Sequence, residues 1–495
     1  MGRNKSNFVD LCQGDFGRKT AYTGVAQITT ENVVQVLSDT IGTHNRNRMM
    51  INYLYRYYKG DQPILYREKL VRPEVNNRVV ENHALEVVKF KTGQIYGEPI
   101  QYVCKKKKAD KKINEQVDLL NDYLDEANAD ARNIQLGIYQ SAVGTAYKAI
   151  LREDDWTKDR DLPPFRIFIP YPGDVYIVYS RNTGKAMLSV QILKDEDNQQ
   201  YYLCYSSNQY FKIKNGQVTV SGINGFGGIP IIEYPNNHDR LSDVEIAITA
   251  FDAINKYQSD RLNGVEQFVQ AFMKFKNCEV DENEFLKMVK LGAISVKDAG
   301  NGVQSDVDLM TAELNQSESQ VAKDDIYNNM LIVEAMPNRQ SNTGGDTGNA
   351  VYLRNGWDFA ERDAKLVEAF TKEAEKASVR IILNIIRKTS NDVKISTRDF
   401  DVKITRNPTD NMLVKAQALD YLFKNKIHPL IALITCGLFS DPQKVYEMSL
   451  PFLGTVYPEL ANPDAEMKKA QELIKDFSQK SIQNHSATIS YTGEE

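Results

Sequence analysis

Residues that could carry chemistry are present in this chain of 495 residues, but their spacing fits no catalytic or metal-binding motif. The five histidines form no HExxH pair and the five cysteines form no CxxC pair. There is no GxxxxGK[ST] phosphate loop and no GxSxG nucleophile elbow. The adjacent acidic residues Glu196 and Asp197 fall in a predicted loop, outside any cleft where they could serve as general acid and base. The glycines of residues 222–228 lack the GxGxxG spacing and precede a strand, so we interpret them as a turn. We therefore predict that the chain is not an enzyme and holds no cofactor or metal.

A polar loop at residues 337–348 is the stretch best suited to meet a ligand. It begins with Pro337, contains Gly344, Gly345 and Gly348, and has no large apolar residue. Such a segment contributes little to a core, so we expect it to be exposed and mobile.

Three long helical patterns flank this loop. The first begins at Ser242, which forms a capping box with Glu245, and apolar residues then recur every three or four positions. If helical through residue 276, it spans roughly 50 Å. The second covers residues 319–335, and the third follows the loop to about residue 388, a rod of about 60 Å. Helices of this length exceed what a small globular core requires. The insert at residues 277–316 resembles a small α/β module, with a helix at 285–289 and strands at 293–296 and 307–310.

Composition is that of a soluble protein, with 42% hydrophobic and 26% charged residues. The length predicts two or more domains. No apolar run is long enough to predict a membrane span, and no secretory signal is evident. The cysteines are odd in number and dispersed, which indicates reduced thiols in a cytosol. Net charge is −5, but residues 241–336 hold 8 Lys and Arg against 17 Asp and Glu, a net of −9, which leaves +4 elsewhere. A solvated helix face is the simplest interpretation of this acidic region.

The rest of the chain divides by the period of its apolar residues. Residues 1–29 indicate an irregular arm. Helices are predicted at 30–41, 45–58, 76–96, 117–144, 412–424, 429–436, from 441 to about 450, and at 463–477. Strands are predicted at 100–103, 146–151, 166–169, 175–179, 186–193, 200–205, 209–213, 217–220 and 400–404. Residues 478–495 are predicted to be a polar tail. Two features have two interpretations. The tyrosines 53, 55, 57 and 58 favour packing over stacking on nucleic acid, and the lysines of 105–112 favour a solvated segment over an anion site.

Short motifs in a fixed order give this chain a family resemblance. They lie at residues 53–60 (YLYRYYKG), 76–78 with Asn82, Gly93 with 96–100 (YGEPI), 144–147 (GTAY), 228–230, 234–237 (YPNN), 242–245 (SDVE), 252–260 (DAINKYQSD) and 347–350 (TGNA). Together the motifs resemble the portal proteins of long-tailed double-stranded DNA bacteriophages that infect Gram-positive hosts.

The resemblance implies an α+β portal fold with named parts. Residues 1–29 form an N-terminal arm, 30–240 a β-rich wing with the strand region 390–410, 241–276 the first stem helix, 277–316 a small α/β clip, 317–336 the second stem helix, 337–348 a tunnel loop, 349–389 a long helix linking to the wing, 411–477 an α-helical crown and 478–495 a polar tail. The lysine run and the arm match no family motif and are assigned no role.

The resemblance also implies the function. Such proteins form a ring, usually of twelve copies, at one capsid vertex of the virion, and double-stranded DNA enters and leaves through its channel. The implied partners are further copies of the chain, DNA without sequence preference, the terminase large subunit, the head-tail connector, and the major capsid and scaffolding proteins, with no membrane. Assembly would take place in the host cytoplasm.

Within this family, the loop would project into the channel. A uniformly basic lining would hold DNA, so an acidic stem is expected to let it pass. The candidate DNA contacts in the loop are Asn338, Arg339, Gln340, Asn342 and Thr343, and the candidate channel or partner contacts in stem and clip are Lys274, Lys276, Lys287 and Lys290.

Two alternatives come from other classes of protein. One is a non-enzymatic cellular scaffold or adaptor that uses the long helices to bind partners. The other is a nucleic-acid enzyme with an unrecognised active site.

Overall fold

The computed structural model describes residues 8–70, 73–105, 111–153, 156–157, 162–269, 272–276, 281, 283, 306–310, 316–338, 356–406, 412–425, 427–439 and 442–456. The chain divides into two compact units, Met1–Arg406 and Asn407–Glu495. Both helices and sheets build the first unit, which confirms the predicted α+β class.

The largest sheet in the described part of the first unit has six strands. In spatial order its strands are β1 (Ala21–Thr23), β5 (Val175–Ser180), β6 (Ala186–Lys194), β7 (Gln200–Tyr205), β8 (Gln209–Lys214) and β9 (Gln217–Ile223). All neighbours are antiparallel except β1 and β5, which pair in parallel with Ala21 opposite Val178. Helix α2 (Val33–Tyr58) covers one face of this sheet with its first turns, and Val33 and Val36 share a core with Val178 and Leu188.

Two smaller sheets lie in the same unit. The order β10 (Ile231–Pro235), β3 (Thr145–Arg152), β4 (Phe165–Phe168) makes a three-stranded antiparallel sheet. Strand β2 (Gln101–Cys104) pairs with β13 (Phe400–Lys403), so residues almost 300 positions apart lie side by side. The predicted strands of this region are all confirmed.

Helix α8 (Trp357–Thr389) packs its apolar stripe on these two sheets. Ile382 and Ile386 lie in one core with Ile150, Ile167 and Phe400. The burial follows the 3.6-residue period of the stripe and confirms the helix from residue 357 to about 388.

The N-terminal part of the first unit departs from the predictions in three places. The predicted helices 30–41 and 45–58 are one helix, α2, and the predicted helix 76–96 is α3 (His83–Tyr96) alone, which begins at Asn82. The predicted helix 117–144 is two helices, α4 (Lys111–Glu126) and α5 (Ala129–Val143), separated at Asn128, whose positive φ breaks the first helix. The end of α2 at Gly60 is confirmed, since the left-handed φ of this glycine terminates the helix.

The expected irregular arm is wrong for much of its length. Residues Phe8–Cys12 form helix α1, and strand β1 belongs to the six-stranded sheet. Phe8 is fully buried against Tyr53, and the side chain of Arg18 is buried in an ion pair with Glu245 at 2.5 Å. These long-range contacts order a segment whose local composition predicts none.

The first long helix, α6 (Asp243–Val269), is shorter than predicted. Residues Phe272–Lys276 form strand β11, which pairs antiparallel with β12 (Asp306–Met310). Pairing with a distant strand therefore overrides the helical spacing of the last residues, while the predicted strand at 307–310 is confirmed. Helix α7 (Gln316–Val333) confirms the second helical pattern. The predicted elements at 285–289 and 293–296 lie outside the described residues.

The second unit contains helices α9 (Met412–Lys424), α10 (Pro429–Cys436) and α11 (Pro442–Val456), each packed on the next. Pro429 fits the first position of α10, and Gly437 ends the helix with a left-handed φ. All three predicted helices are confirmed, and residues 463–495 lie outside the described part. No helix in the described ranges is long and apolar enough to cross a membrane.

Candidate nucleic-acid interface

The start of helix α6 is fixed by a capping box. Ser242 Oγ accepts from the amides of Val244 and Glu245 at 3.0 and 3.4 Å, and Glu245 Oε2 accepts from the Ser242 amide at 3.3 Å. The same carboxylate binds Arg18 and accepts from the amide of Gly17 at 2.8 Å. The predicted cap is therefore confirmed, and it also ties the helix to the N-terminal arm.

A polar stripe holds the middle of α6 against the extended segment at residues 77–81. Asn255, Ser259 and Asn263 are buried and lie four residues apart. Their side-chain oxygens accept from three alternate amides, those of residues 81, 79 and 77, at 2.8, 3.0 and 2.7 Å. Four helical residues rise about 6.0 Å and two extended residues about 6.6 Å, so the two periods match over this length. We call these three contacts the polar ladder. They fix the rotation of α6 about its axis and its position along that axis.

Helix α7 is bound by its inner side to α6 and α3. Lys323 Nζ donates to Glu81 Oε1 at 2.6 Å and to Gln258 Oε1 at 3.2 Å. Arg261 donates to Gln320 Oε1 at 2.5 Å, and the Tyr327 hydroxyl donates to Glu86 at 3.2 Å. These contacts leave the other side of α7 exposed.

The backbone on the two sides of residues 339–355, the segment that contains most of the polar loop, comes together at one place. Met336 and Pro337 are buried where the loop leaves α7, and Gly356 with φ +84° begins helix α8. A Cβ atom on Gly356 would lie 3.9 Å from Met336 O and from Pro337 Cα. The backbone at residues 336–337 therefore lies next to the backbone at residue 356. Trp357 then packs on Phe90, with ring centroids 6.1 Å apart.

A buried charge cluster joins the helices at this loop base. Lys91 Nζ of α3 lies 2.6 Å from Asp363 Oδ2 of α8 and 4.0 Å from Glu334 Oε2 at the end of α7. Asp243 of α6 completes the cluster and accepts from Ser141 Oγ at 2.5 Å and from Asn236 Nδ2 at 2.9 Å. Four helices thus converge on one ammonium group.

Burial dominates the titration of this cluster. It raises the pKa of Asp243, and burial followed by the charge of Asp243 raises the pKa of Glu334 well above its ordinary value. Burial disfavours the charged form of Lys91 and so lowers its pKa. The carboxylates of Asp243, Asp363 and Glu334 have the larger combined effect, and the pKa of this lysine is raised. Within the described ranges, Glu334 Oε1 has no hydrogen-bond partner.

Some of the acidic side chains in this stretch are internal. Asp243, Glu245 and Glu334 are buried, and Asp252 accepts from the Tyr57 hydroxyl at 2.8 Å. Asp260 pairs with Arg67 at 2.7 Å. The net charge of residues 241–336 therefore overstates the negative charge on the surface of these helices.

The structure locates few of the predicted site residues. Asn338 is half-buried and donates from Nδ2 to Asn328 Oδ1 at 3.0 Å. Lys274 and Lys276 belong to strand β11, where they stand opposite Asp308 and Asp306 in the register. The predicted positions that lie outside the described residues are Arg339, Gln340, Asn342, Thr343, Lys287 and Lys290.

Sequence reasoning missed the residues that anchor these helices. Lys91 and Asp363 give no local signal, because they meet only in the folded chain. The polar ladder did give a local signal. Asn255, Ser259 and Asn263 form a polar stripe at i, i+4 and i+8 within an otherwise amphipathic helix. A stripe of that kind predicts a buried polar partner.

Comparison with known proteins identifies the family. Residues 37–476 match the family model of phage portal proteins of the SPP1 Gp6-like type. Because the match covers most of the chain, this protein belongs to that family. Portal proteins are structural components of the virion at the capsid vertex and not enzymes.

Individual relatives are distant. The portal protein of Bacillus phage SPP1 is 22% identical over 434 residues, which are 81% of this chain and 78% of the relative. A solved structure described as the neck of an empty GTA particle computed with C6 symmetry covers 72% of this chain and 90% of its own, with 10% identity and a TM-score of 0.43.

Proposed function

We propose that this protein forms a ring, expected to be a dodecamer, at one capsid vertex, and that double-stranded DNA passes through its axial channel during packaging and ejection. The observation that carries this proposal is the family match over residues 37–476, which includes the long helices and the polar loop between them. A cellular scaffold would also use long helices, but no feature of the molecule favours it over a portal.

The parts of the chain take their roles from this assembly. We assign residues 30–240 with 390–410 to the wing, α6 and α7 to the stem, the β11–β12 pair and the residues between its strands to the clip, 337–348 to the tunnel loop, and the helices after residue 410 to the crown. The early end of α6 extends the proposed clip back to Phe272.

The loop would guide DNA without reading its sequence. Asn338, Gln340, Asn342 and Thr343 can donate to phosphate oxygens without a full charge, and Arg339 would add one cation per subunit. A ring of weak donors holds the duplex in the channel axis and releases it readily, whereas many cations would add salt-dependent affinity. The meeting of the loop ends at Gly356 supports this role, because a loop with a fixed base can project.

The proposed partners contact the ring at different heights. The terminase large subunit and later the head-tail connector would dock on the clip, where Lys287 and Lys290 are candidate contacts. The major capsid and scaffolding proteins would meet the outside of the ring during assembly in the host cytoplasm.

The test is imaging of the purified chain by negative-stain microscopy. We expect rings with an axial hole and about twelve-fold symmetry, and no ATP hydrolysis, since a separate motor subunit would drive packaging. Monomers under several conditions would support the scaffold, and ATP hydrolysis would support an enzyme.

A second arm tests the loop. Replacing Arg339 with Ala and shortening the loop should leave the rings intact and impair DNA packaging or retention. Normal packaging by such rings would refute the role of the loop.

A further inference from the structure

The outer face of helix α7 combines exposed apolar side chains with acidic ones. Val321 is 69% exposed and Ile332 is 75% exposed, and they lie on one side of the helix. Asp324 and Asp325 are exposed between them. Lys323, by contrast, is turned inward to Glu81. We call these four residues, 321, 324, 325 and 332, the acidic face.

The first turns of helix α8 carry a face of opposite charge. Phe359 is 63% exposed and Leu366 is 68% exposed, at spacing i and i+7. Arg362 and Lys365 are exposed on the same side, and the Arg362 guanidinium lies 5.6 Å from the Phe359 ring centroid. We call these four residues, 359, 362, 365 and 366, the basic face.

Pairs within α8 leave this basic face available. Arg362 contacts Asp358 at 2.6 Å and Lys365 contacts Glu361 at 3.6 Å, both one turn apart. Glu361 is already bound by Arg406 at 2.9 Å. Exposed pairs of this type contribute little and exchange readily for contacts to a partner.

We propose that the acidic face of one subunit docks on the basic face of the neighbouring copy. Each face offers two large apolar side chains and two like charges, and the charges of the two faces are opposite. A contact between two different patches of identical chains repeats head to tail, which is the type of interface that closes into a ring. This inference rests on the proposed ring and names part of the surface that holds it together.

The apolar side chains argue against the alternative that the acidic face lines the channel. Val321 and Ile332 would stay in water beside DNA, whereas a neighbouring Phe359 and Leu366 would bury them. Both faces also adjoin the loop base, since Ile332 precedes Met336 and Phe359 follows Gly356 by a few residues. Docking of neighbours here would place successive loops side by side around the ring.

The test is a charge exchange read by native mass spectrometry and negative-stain microscopy of the full chain. The D324K/D325K variant and the R362E/K365E variant should each lower the ring fraction about tenfold or more at low salt, because like charges then face each other. Combining all four substitutions restores complementarity and should recover the rings. The matched control is E196K/D197K, a double charge reversal in an exposed turn of the wing.

Every outcome decides between the interpretations. Rings from both reversed variants at the wild-type level would overturn the inference, as would loss of rings without recovery in the combined variant. Altered DNA passage through intact rings would assign the acidic face to the channel. If a reversed variant fails to fold by circular dichroism, the neutral D324N/D325N and R362Q/K365Q variants replace it and should weaken the rings less. A wild-type chain that forms no ring would instead refute the proposed function.

Discussion

Three carboxylates and one ammonium group share the buried space at the loop base. Lys91 forms its close ion pair with Asp363, while Glu334 lies 4.0 Å away. A buried carboxylate with an unpartnered oxygen is costly in its charged form, and the raised pKa of Glu334 expresses that cost. Burial therefore shifts this carboxyl toward its protonated form relative to an exposed glutamate.

The Glu334→Gln variant tests this conclusion. The pKa of Glu334 is higher in the folded chain than in the unfolded chain. Its protonated side chain therefore contributes its full stability below the unfolded pKa of about 4.5, and this contribution is lost as pH rises through the folded pKa. Replacing Glu334 removes that loss. We expect the free energy of unfolding in urea to rise by about 1 to 3 kcal/mol at pH 8 and to change little at pH 4.

Two variants serve as controls for Glu334→Gln. Glu196→Gln, in an exposed turn, should have no effect at either pH. Lys91→Met should destabilise strongly, because it leaves the buried carboxylates without their cation. An equal gain at pH 4 and pH 8 from Glu334→Gln would show that its charge is not the cause.

Helix α6 depends on the polar ladder for its position against residues 77–81. The ladder joins side chains of one element to backbone amides of another, so a single truncation exposes one amide and leaves the rest in place. In Ser259→Ala we expect the Val79 amide to exchange its hydrogen about two- to tenfold faster. Hydrogen-exchange mass spectrometry of the peptide around residues 77–81 measures this.

The matched control for the ladder is Ser317→Ala, on the exposed side of α7. It should leave exchange at residues 77–81 unchanged. Equal protection of Val79 in the wild type and in Ser259→Ala would mean that another group satisfies this amide.

Elements with a strong local period were predictable from the sequence, and those set by distant contacts were not. The strands between residues 145 and 223 alternate apolar and polar residues between clear turns, so their prediction was correct. Helix α2 was divided in two because Gly42 and Thr43 have low helix propensity. In the structure His44 is buried, and its Nε2 lies 2.9 Å from Gly173 O, so tertiary packing carries the helix through.

The candidate site was predictable in outline only. The cap at Ser242, the long helices and the polar loop all follow from local patterns. The cluster around Lys91 could not be predicted, because its members come from four helices and are separated by up to 272 residues. The burial of Asp243 and Glu245 could not be predicted either, because it depends on partners far along the chain.

At the scale of the whole molecule, the boundary after Arg406 separates two folding units. Arg406 closes the first unit, since its guanidinium binds Glu361 at 2.9 Å and Glu368 at 2.5 Å. The cores of the sheets and long helices are all formed by residues before this boundary.

A chain ending at Arg406 should therefore fold. We expect its circular dichroism to show a cooperative unfolding transition in urea. The same shortened chain with Arg406→Met should be less stable by about 1 to 3 kcal/mol, because two half-buried carboxylates lose their partner. A shortened chain with no unfolding transition would show that the second unit is needed for the first to fold.

The contact of Gly356 with Met336 and Pro337 has a consequence for how such proteins can diverge. Once both ends of a segment are fixed at one point, inserting residues between them costs only loop-closure entropy, about 0.6 kcal/mol for each doubling of length. The stability of this molecule therefore places almost no limit on the length of residues 339–355. Insertions and deletions should therefore be tolerated by the fold here and rejected on either side of the joint.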